Sequence, residues 1–188
     1  MNMPIFITGN QAKADYLARW LGHPVEHQKC EVDELQSLDL REVAAHKARA
    51  AYEKIGKCVL VEDVSLTFAA WGRLPGTLIK WHLEELGVEK LAQKMHDETD
   101  RRATAAIAYG LYDGHEMHIF EGAVQGTVPL APRNSEQNGW KGSKSWNSIF
   151  IPDGYEKTYA QMTDEELQGC SHRYQAIIKL RDFLDKQA

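Results

Sequence analysis

The spacing of apolar residues along the chain predicts an alternation of strands and helices. Short continuous apolar runs are typical of strands buried on both faces, whereas apolar positions three and four residues apart are typical of a helix with one buried side. Strands are predicted over residues 3–7, 25–32, 58–61, 103–112, 117–128 and 149–151. Helices are predicted over residues 13–21, 39–55, 78–86, 88–95 and 164–185. This order predicts one α/β domain over residues 1–188, with a mixed central sheet flanked by helices.

Aspartate and glycine mark several of the predicted boundaries. Asp39 is a predicted helix N-cap, and Glu42 three residues later predicts a capping box. Gly87 separates the two short helices of the middle segment. The pair Asp113-Gly114, between two long apolar stretches, predicts a β-hairpin.

A glycine turn follows the first predicted strand. It consists of Thr8, Gly9 and Asn10, and Lys13 lies in the first turn of the helix that comes next. Backbone N–H groups and the helix dipole favour a phosphate group at such a junction. The spacing of a Walker A loop is absent, and on spacing alone an ordinary turn with a solvated lysine is favoured.

Two carboxylates, Glu62 and Asp63, directly follow the buried strand over residues 58–61. Open α/β sheets bind ligands at this end of their strands, and carboxylate oxygens suit Mg²⁺ or the orientation of a water molecule. Two solvated loop acids are the alternative, but residues 64–66 return to apolar character without a turn. Glu34, in a polar loop, could complete a metal site with Asp63 or be a surface acid.

The other polar candidates are ambiguous from the residues alone. Lys47 and Lys80 are single lysines in amphipathic helices, where solvation is the usual state. His172 and Arg173 fall inside the last predicted helix, where neighbours do not share one face. They can donate hydrogen bonds to a base carbonyl, but a helix-surface pair fits equally well.

Composition and charge narrow the class of protein. The 188 residues are 43% hydrophobic and 26% charged, as in globular proteins, and the net charge of −5 disfavours general binding to nucleic acid or anionic membranes. No apolar run approaches the roughly 20 residues of a membrane span, and the start of the chain lacks the pattern of a signal peptide. The histidines and the three cysteines lack zinc spacing. A soluble cytoplasmic protein without nucleic-acid or membrane partners is expected.

Six short segments carry a more specific pattern, in one order along nearly the whole chain. They are Phe6-Ile7-Thr8-Gly9-Asn10 with Lys13; Leu60-Val61-Glu62-Asp63-Val64-Ser65-Leu66; Leu74-Pro75-Gly76 with Ile79-Lys80-Trp81; Phe120-Glu121-Gly122; Pro152-Asp153-Gly154-Tyr155 with Thr158-Tyr159-Ala160; and Ser171-His172-Arg173-Tyr174. In this order they resemble the inosine triphosphate pyrophosphatase, or Ham1, family.

The resemblance implies a fold with two lobes around a substrate cleft, and a homodimer. It also implies hydrolysis of non-standard purine triphosphates such as ITP, dITP and XTP to the monophosphate and pyrophosphate. The implied cofactor is Mg²⁺, with Mn²⁺ able to replace it.

The resemblance also assigns roles to individual residues. Those implied to bind substrate are Thr8, Gly9, Asn10, Lys13, Lys47, Val64, Ser65, Lys80, Trp146, Asn147, His172 and Arg173. Those implied to bind metal are Glu34, Glu62 and Asp63, and those implied to act in catalysis are Asp63, Glu62 and Lys13. His172 and Arg173 would read the base carbonyl, because a 6-oxo purine offers an acceptor where adenine offers a donor.

The chain departs from the family at the base end. The family motif Phe-Gly-Trp/Tyr-Asp-Pro aligns without gaps to Lys144-Ser145-Trp146-Asn147-Ser148, or with an insertion to Asn138-Gly139-Trp140-Lys141. In both alignments the carboxylate is lost, and a family lysine is replaced by Leu167. Two further hypotheses therefore stand beside the main one: a hydrolase of the same family with another base preference, and a nucleotide-binding module without turnover.

Overall fold

A computed structural model of the chain describes residues 3–134 and 145–187. The strands are β1 (Ile5–Ile7), β2 (His27–Gln28), β3 (Val59–Phe68), β4 (Pro75–Gly76), β5 (Arg102–Tyr112), β6 (Met117–Thr127) and β7 (Ile151–Pro152). The α-helices are α1 (Gln11–Leu21), α2 (Leu40–Ile55), α3 (Ile79–Lys94), α4 (Asp164–Gln168) and α5 (His172–Gln187). Short 3-10 helices cover Ala69–Trp71, Trp146–Ile149 and Tyr159–Gln161.

The strands of the described residues form one mixed sheet. Their order is β2-β1-β3-β5-β6-β7, and β4 pairs with β3 outside this path. Strand β1 is parallel to both β2 and β3, whereas β4 is antiparallel to β3 and β7 is antiparallel to β6. The predicted α/β class with a mixed central sheet flanked by helices is therefore confirmed.

The chain divides into two compact units, where the sequence predicted one domain over residues 1–188. Unit 1 consists of Met1–Val64, Ile107–Gly122 and Arg173–Ala188. Unit 2 consists of Ser65–Ala106 and Ala123–His172. Each unit combines segments that are distant in the sequence, so neither can be recognised from a linker or a change in composition.

Helix α2 packs tightly on the sheet of unit 1. Ala48 and Ala51 of this helix are buried against the aliphatic side chains of β1 and β3. Gly110 of β5 permits this approach, because a Cβ atom there would lie 2.9 Å from the carbonyl oxygen of Ala44. The close packing fixes the height of α2, and thereby of Lys47, above the sheet.

Aromatic residues dominate one part of the core of unit 2. The ring centroids of Phe150 and Tyr159 are 4.8 Å apart, and Tyr159 stacks on His172 at 5.5 Å with an interplanar angle of 20°. Trp146 lies 5.5 Å from the same histidine ring. This cluster of Trp146, Phe150, Tyr159 and His172, here called the aromatic cluster, holds the 3-10 helix Trp146–Ile149 against the start of α5.

Three local predictions are confirmed. Asp39 caps α2, since its side chain accepts the N–H groups of Arg41 and Glu42. Gly87 has φ 73° and ψ 164° and divides α3 into two helical parts. At the β5–β6 hairpin, Asp113 accepts the N–H groups of the two loop residues His115 and Glu116, each at 2.8 Å.

The capping box predicted for Glu42 is wrong. Glu42 accepts a hydrogen bond from the Ser37 hydroxyl at 2.6 Å, and the N–H of Asp39 donates to the same hydroxyl at 3.1 Å. Ser37 thus takes the position that a reciprocal bond between Glu42 and Asp39 would need. The strand predicted over residues 25–32 is also reduced, to His27–Gln28.

The single helix predicted over residues 164–185 is wrong as well. Helix α4 ends at Gln168 and α5 begins at His172. The hydroxyl of Tyr159 donates to the carbonyl of Cys170 at 2.8 Å, and Gly169 is a weak helix former. The helix is therefore interrupted between α4 and α5. His172 and Arg173 consequently open a helix instead of lying inside one.

Among the described residues, none of the helices combines the length and the apolar character that crossing a membrane requires.

We expect Gly126→Ala to destabilise the protein by about 2–3 kcal/mol, because a tightly packed site has no room for the added methyl group. Gly126 pairs with Pro152 across β6 and β7, and its Cβ atom would overlap the Ile151 carbonyl oxygen and lie 2.7 Å from Phe150 Cζ. Urea unfolding measures the change. Gly169→Ala is the matched control, since its Cβ atom would meet the hydroxyl of the exposed Tyr155 side chain at 2.9 Å and, at an ordinary contact distance of 3.8 Å, the Glu166 carbonyl oxygen. Equal stability of the two variants would contradict this reading of β6–β7 packing.

Candidate active site

The turn between β1 and α1 is shaped by its own side chains. The N–H of Asn10 donates to the Thr8 hydroxyl at 3.1 Å, and the Asn10 side chain caps α1 by accepting the N–H of Lys13 at 3.3 Å. Gly9 and Asn10 are exposed. Because the first N–H groups of a helix have no partner within it, this exposed N-terminus can receive an anion. The phosphate-binding role that the resemblance implies for this turn stays a prediction.

Glu62 of β3 is a buried carboxylate between two cations. Its Oε1 atom lies 2.6 Å from Lys13 Nζ, and its Oε2 atom pairs with Arg173 Nη1 at the start of α5. Burial by itself raises the pKa of Glu62, but the charges of Arg173 and Lys13 outweigh it and hold the pKa at about 2. Glu62 is therefore ionised at neutral pH and joins α1, β3 and α5 at one point.

Arg173 has a second partner that the sequence did not indicate. Its Nη1 atom also donates to the hydroxyl of Tyr109 at 3.3 Å, and Tyr109 is only 1% exposed. Burial lowers the pKa of Arg173, but the Glu62 carboxylate more than reverses the effect. A buried tyrosine hydroxyl generally needs a hydrogen-bond partner. The one sequence signal for this contact was therefore a tyrosine among Ala, Gly and Leu in a strand predicted to be buried.

Asp63 occupies a different environment from Glu62, although the two are neighbours in β3. Its Oδ2 atom is 3.4 Å from Lys47 Nζ, and its Oδ1 atom accepts the N–H of Val64 at 2.8 Å. Burial raises the pKa of Asp63 despite the opposing charge of Lys47, and the charge of Glu34 raises it further. Consecutive strand residues point to opposite faces, which explains how adjacent acids acquire opposite pKa shifts.

Lys47 completes the contacts around these two acids. Strand β3 runs from Val59 to Phe68, so Glu62 and Asp63 lie inside it, and the prediction that they follow a strand ending at residue 61 is wrong. Besides facing Asp63, the Lys47 ammonium donates to the backbone carbonyl of Glu62 at 3.1 Å. In unit 1, Lys13, Lys47 and Arg173 thus face Glu62 and Asp63. From the sequence alone, Lys13 and Lys47 were indistinguishable from ordinary solvated lysines. In the structure, Lys13 faces Glu62 and Lys47 faces Asp63.

The donor set fits a divalent cation whose remaining ligands come from a substrate. Within residues 3–134 and 145–187, no group of three or more His, Cys, Asp or Glu side chains is arranged to hold a metal ion. Asp63 and Glu34 are nevertheless close enough for the charge of one to raise the pKa of the other, and a cation beside both would relieve that repulsion. Mg²⁺ typically takes one or two carboxylates together with substrate phosphates.

Glu62 is less suited to this role than Asp63. Lys13 and Arg173 occupy its two oxygens, so a metal ion there would stand beside two positive charges. Its assignment as a metal ligand stays a prediction, as do those of Asp63 and Glu34.

The remaining predicted residues lie in unit 2, apart from Val64, which ends a segment of unit 1. Ser65 is buried in β3, and Lys80 lies in the first turn of α3 with its ammonium 5.1 Å from the Trp81 ring centroid. Trp146 and His172 belong to the aromatic cluster. Asn147 is buried beside them, and its N–H donates to the Ser145 hydroxyl at 3.3 Å.

The second alignment of the base-end motif, through Asn138, Gly139, Trp140 and Lys141, lies outside the described residues, as does Lys144. Leu167, at the position of the family lysine, is buried in α4. Its side chain therefore contributes to the core of unit 2.

Isosteric changes at the two acids should shift stability in opposite directions. Glu62→Gln removes the charge that pairs with two cations, so we expect a loss of about 3 kcal/mol, as when a buried ion pair is broken. Asp63→Asn removes a carboxylate whose ionised form burial disfavours, so this variant should be at least as stable as the wild type. Thermal and urea unfolding at neutral pH measure both changes.

The pH dependence provides the control for Glu62. Its pKa is lowered from 4.5 to about 2, so its contribution is complete above pH 4.5 and is lost as the pH falls toward 2. The difference in unfolding free energy between the wild type and Glu62→Gln should shrink over that interval. A constant difference would contradict the ion-paired state of Glu62.

Known proteins are similar to this chain in sequence and in fold. The sequence profile of the Ham1 family matches residues 4–183. The inosine triphosphate pyrophosphatase of Schizosaccharomyces pombe is 40% identical over 187 residues, covering 97% of this chain and 95% of that protein. The inosine triphosphate pyrophosphatase of Yarrowia lipolytica is 35% identical over 189 residues, covering 98% and 96%. The solved structure of the Staphylococcus aureus Ham1 protein superposes with a TM-score of 0.81 at 26% identity, covering 100% of both chains. With a family match over nearly its whole length, the chain belongs to the Ham1 family.

Proposed function

We propose that this protein hydrolyses non-standard purine nucleoside triphosphates, such as ITP, dITP and XTP, to the monophosphate and pyrophosphate. The observation that carries the proposal is the cluster within β3, where Lys13, Lys47 and Arg173 surround Glu62 and Asp63. Relatives named inosine triphosphate pyrophosphatases, of nearly the same length, support the substrate class.

The charges of this cluster suit a polyanionic substrate. The N-terminus of α1 and Lys13 would receive phosphate oxygens, and Lys47 would neutralise further charge. Lys13 is the cation best placed to do so, because a third of its side chain, 34%, is exposed. Lys80 would join them, as the resemblance implies.

Asp63 is the carboxylate best suited to handle a proton. The reaction adds the elements of water across the anhydride bond between the α and β phosphates. A base works best when its pKa approaches the working pH, and burial raises the pKa of Asp63 whereas Glu62 stays strongly acidic. We therefore assign water activation to Asp63, and to Glu62 the task of holding Lys13 and Arg173.

A divalent cation, Mg²⁺ or Mn²⁺, would be held by Asp63 and Glu34 together with the substrate. When bound, it supplies positive charge to the phosphate oxygens and lowers the pKa of a bound water. Glu34 is exposed and acts on Asp63 as a negative charge, which supports this pair over Glu62, whose two oxygens face Lys13 and Arg173.

Base recognition is proposed for Trp146, Asn147 and His172 of unit 2. An imidazole N–H can donate to the 6-oxo group, and the Asn147 amide can both donate and accept. Arg173 contacts Glu62 and Tyr109, so its role in reading the base stays a prediction. The homodimer, the cytoplasmic location and the absence of nucleic-acid and membrane partners likewise stay predictions.

Purified protein with Mg²⁺ should release pyrophosphate rapidly from ITP and XTP, and slowly from dUTP, ATP and GTP. Asp63→Asn should lower kcat by at least about 100-fold, the usual effect of removing a general base. Asp97→Asn is the matched control, because that carboxylate is 98% exposed. Pyrophosphate release is measured for each nucleotide at saturating and limiting concentrations.

Other outcomes distinguish the alternatives. Preferred cleavage of dUTP, ATP or GTP would replace the proposed substrate class by another base preference. Tight binding without release from any of the five nucleotides would establish a binding module instead. An active Asp63→Asn enzyme would remove Asp63 from its proposed role while leaving the hydrolase intact.

Asn147→Asp should sharpen discrimination between ITP and ATP. The N1–H of hypoxanthine donates to a carboxylate, whereas adenine N1 is an acceptor that only an amide N–H can satisfy. We expect the ratio of kcat/KM for ITP to that for ATP to rise about tenfold, the size of one hydrogen bond to a charged group. Asn134→Asp adds the same charge at an exposed position and should leave the ratio unchanged. An unchanged ratio in Asn147→Asp would place Asn147 outside the base site.

A further inference from the structure

Tyr109 contacts the ion-paired cluster but has no assigned role. It lies in β5, is 1% exposed, and accepts a hydrogen bond from Arg173 Nη1 at 3.3 Å. Its ring lies 6.4 Å, between centroids, from that of Phe6 in β1. Phe6 is two residues before the Thr8–Lys13 turn, so Tyr109 contacts both the arginine and the strand that carries the turn.

Four residues form a continuous chain of contacts inside unit 1. Tyr109 contacts Arg173, Arg173 pairs with Glu62 Oε2, and Lys13 lies 2.6 Å from Glu62 Oε1. Glu62 and Arg173 are 7% and 9% exposed at their side chains, whereas Lys13 is 34% exposed. Solvent or a ligand can therefore reach this series of contacts at one end, which is Lys13 of the turn proposed to bind phosphates.

We propose that Tyr109 is a positioning residue, which holds Arg173 on Glu62 and so fixes Lys13 in the orientation that receives the phosphates. The proposal rests on the proposed triphosphate hydrolysis and adds to it a residue that does not touch the substrate.

The geometry explains why a neutral hydroxyl is needed. A single arginine nitrogen, Nη1, serves both Glu62 and Tyr109, so the hydroxyl limits how far the guanidinium can rotate away from the carboxylate. Burial raises the pKa of Tyr109 and keeps it neutral, so it contributes a dipole without adding charge to the cluster. Hydrogen bonds to charged groups in a dry interior are strong, and losing one allows the linked side chains to move.

The test is a double-mutant cycle on kcat/KM for ITP with Tyr109→Phe, Arg173→Lys and the combined variant. If Tyr109 acts through Arg173, Tyr109→Phe should lower kcat/KM about tenfold in the wild type, the size of one hydrogen bond to a charged group, and have almost no effect in the Arg173→Lys background. A purely structural tyrosine would lower kcat/KM by the same factor in both backgrounds, which would overturn the proposal.

Two further variants keep the result decisive. Lys13→Gln gives a second background for the same cycle, in which Arg173 still pairs with Glu62 Oε2. Tyr112→Phe is the matched control: it removes a hydroxyl from the same strand that donates to the Gly114 carbonyl, and it should leave kcat/KM unchanged.

The failures of the two proposals are distinguishable. A wild-type protein that hydrolyses none of the five nucleotides would overturn the proposed function. An active wild type whose kcat/KM matches that of Tyr109→Phe would overturn the role of Tyr109 alone. A cycle that is non-additive in thermal unfolding but additive in kcat/KM would also overturn it, because the contact would then serve stability only.

Discussion

The buried carboxylate of Glu62 is the constraint on which the candidate site depends. A charge removed from water must be paired, and Glu62 meets this requirement with ion pairs to Lys13 on one oxygen and to Arg173 on the other. The two cations come from helices at opposite ends of the sequence. Once Glu62 is buried in β3, the starts of α1 and α5 have to converge on it. The same ion pairs that stabilise the fold therefore place two positive charges beside the turn proposed to bind phosphates.

The neighbouring acid shows the opposite relation between stability and function. Asp63 keeps one lysine partner at 3.4 Å, and burial and Glu34 together raise its pKa. Folding does not benefit from its charge, which is the condition expected of a residue retained for chemistry at some cost in stability. The alternation of a β-strand is enough to separate the two roles, because successive side chains leave on opposite faces. Two adjacent positions of one strand thus supply a fixed structural anion and the acid proposed to activate water.

The sequence correctly predicted those features of the fold that depend on interactions between residues close in the chain. The Asp39 cap, the Gly87 break and the Asp113 turn all depend on residues within four positions of each other. The pair of acids was recognisable for the same reason, although the strand continues through them to Phe68. Sequence could not reveal that Arg173 pairs with Glu62 across 111 residues, or that Tyr109 joins them. It also missed the break before α5, because a hydrogen bond from Tyr159 to Cys170 outweighs the helical pattern of residues 164–185.

The two departures from the family at the base end differ in physical meaning. Leu167 is 5% exposed, and a lysine there would have to bury its ammonium or push α4 away, so in this chain the position belongs to the core. Asn147 is equally buried but polar, and it lies beside Trp146, whose ring faces His172 at 5.5 Å. A buried amide needs partners for both its donor and its acceptor, whereas a carboxylate only accepts. The replacement of Asp by Asn therefore changes which bases can be matched without leaving a polar group unpaired, and base preference in this protein should depend on residue 147 far more than on residue 167.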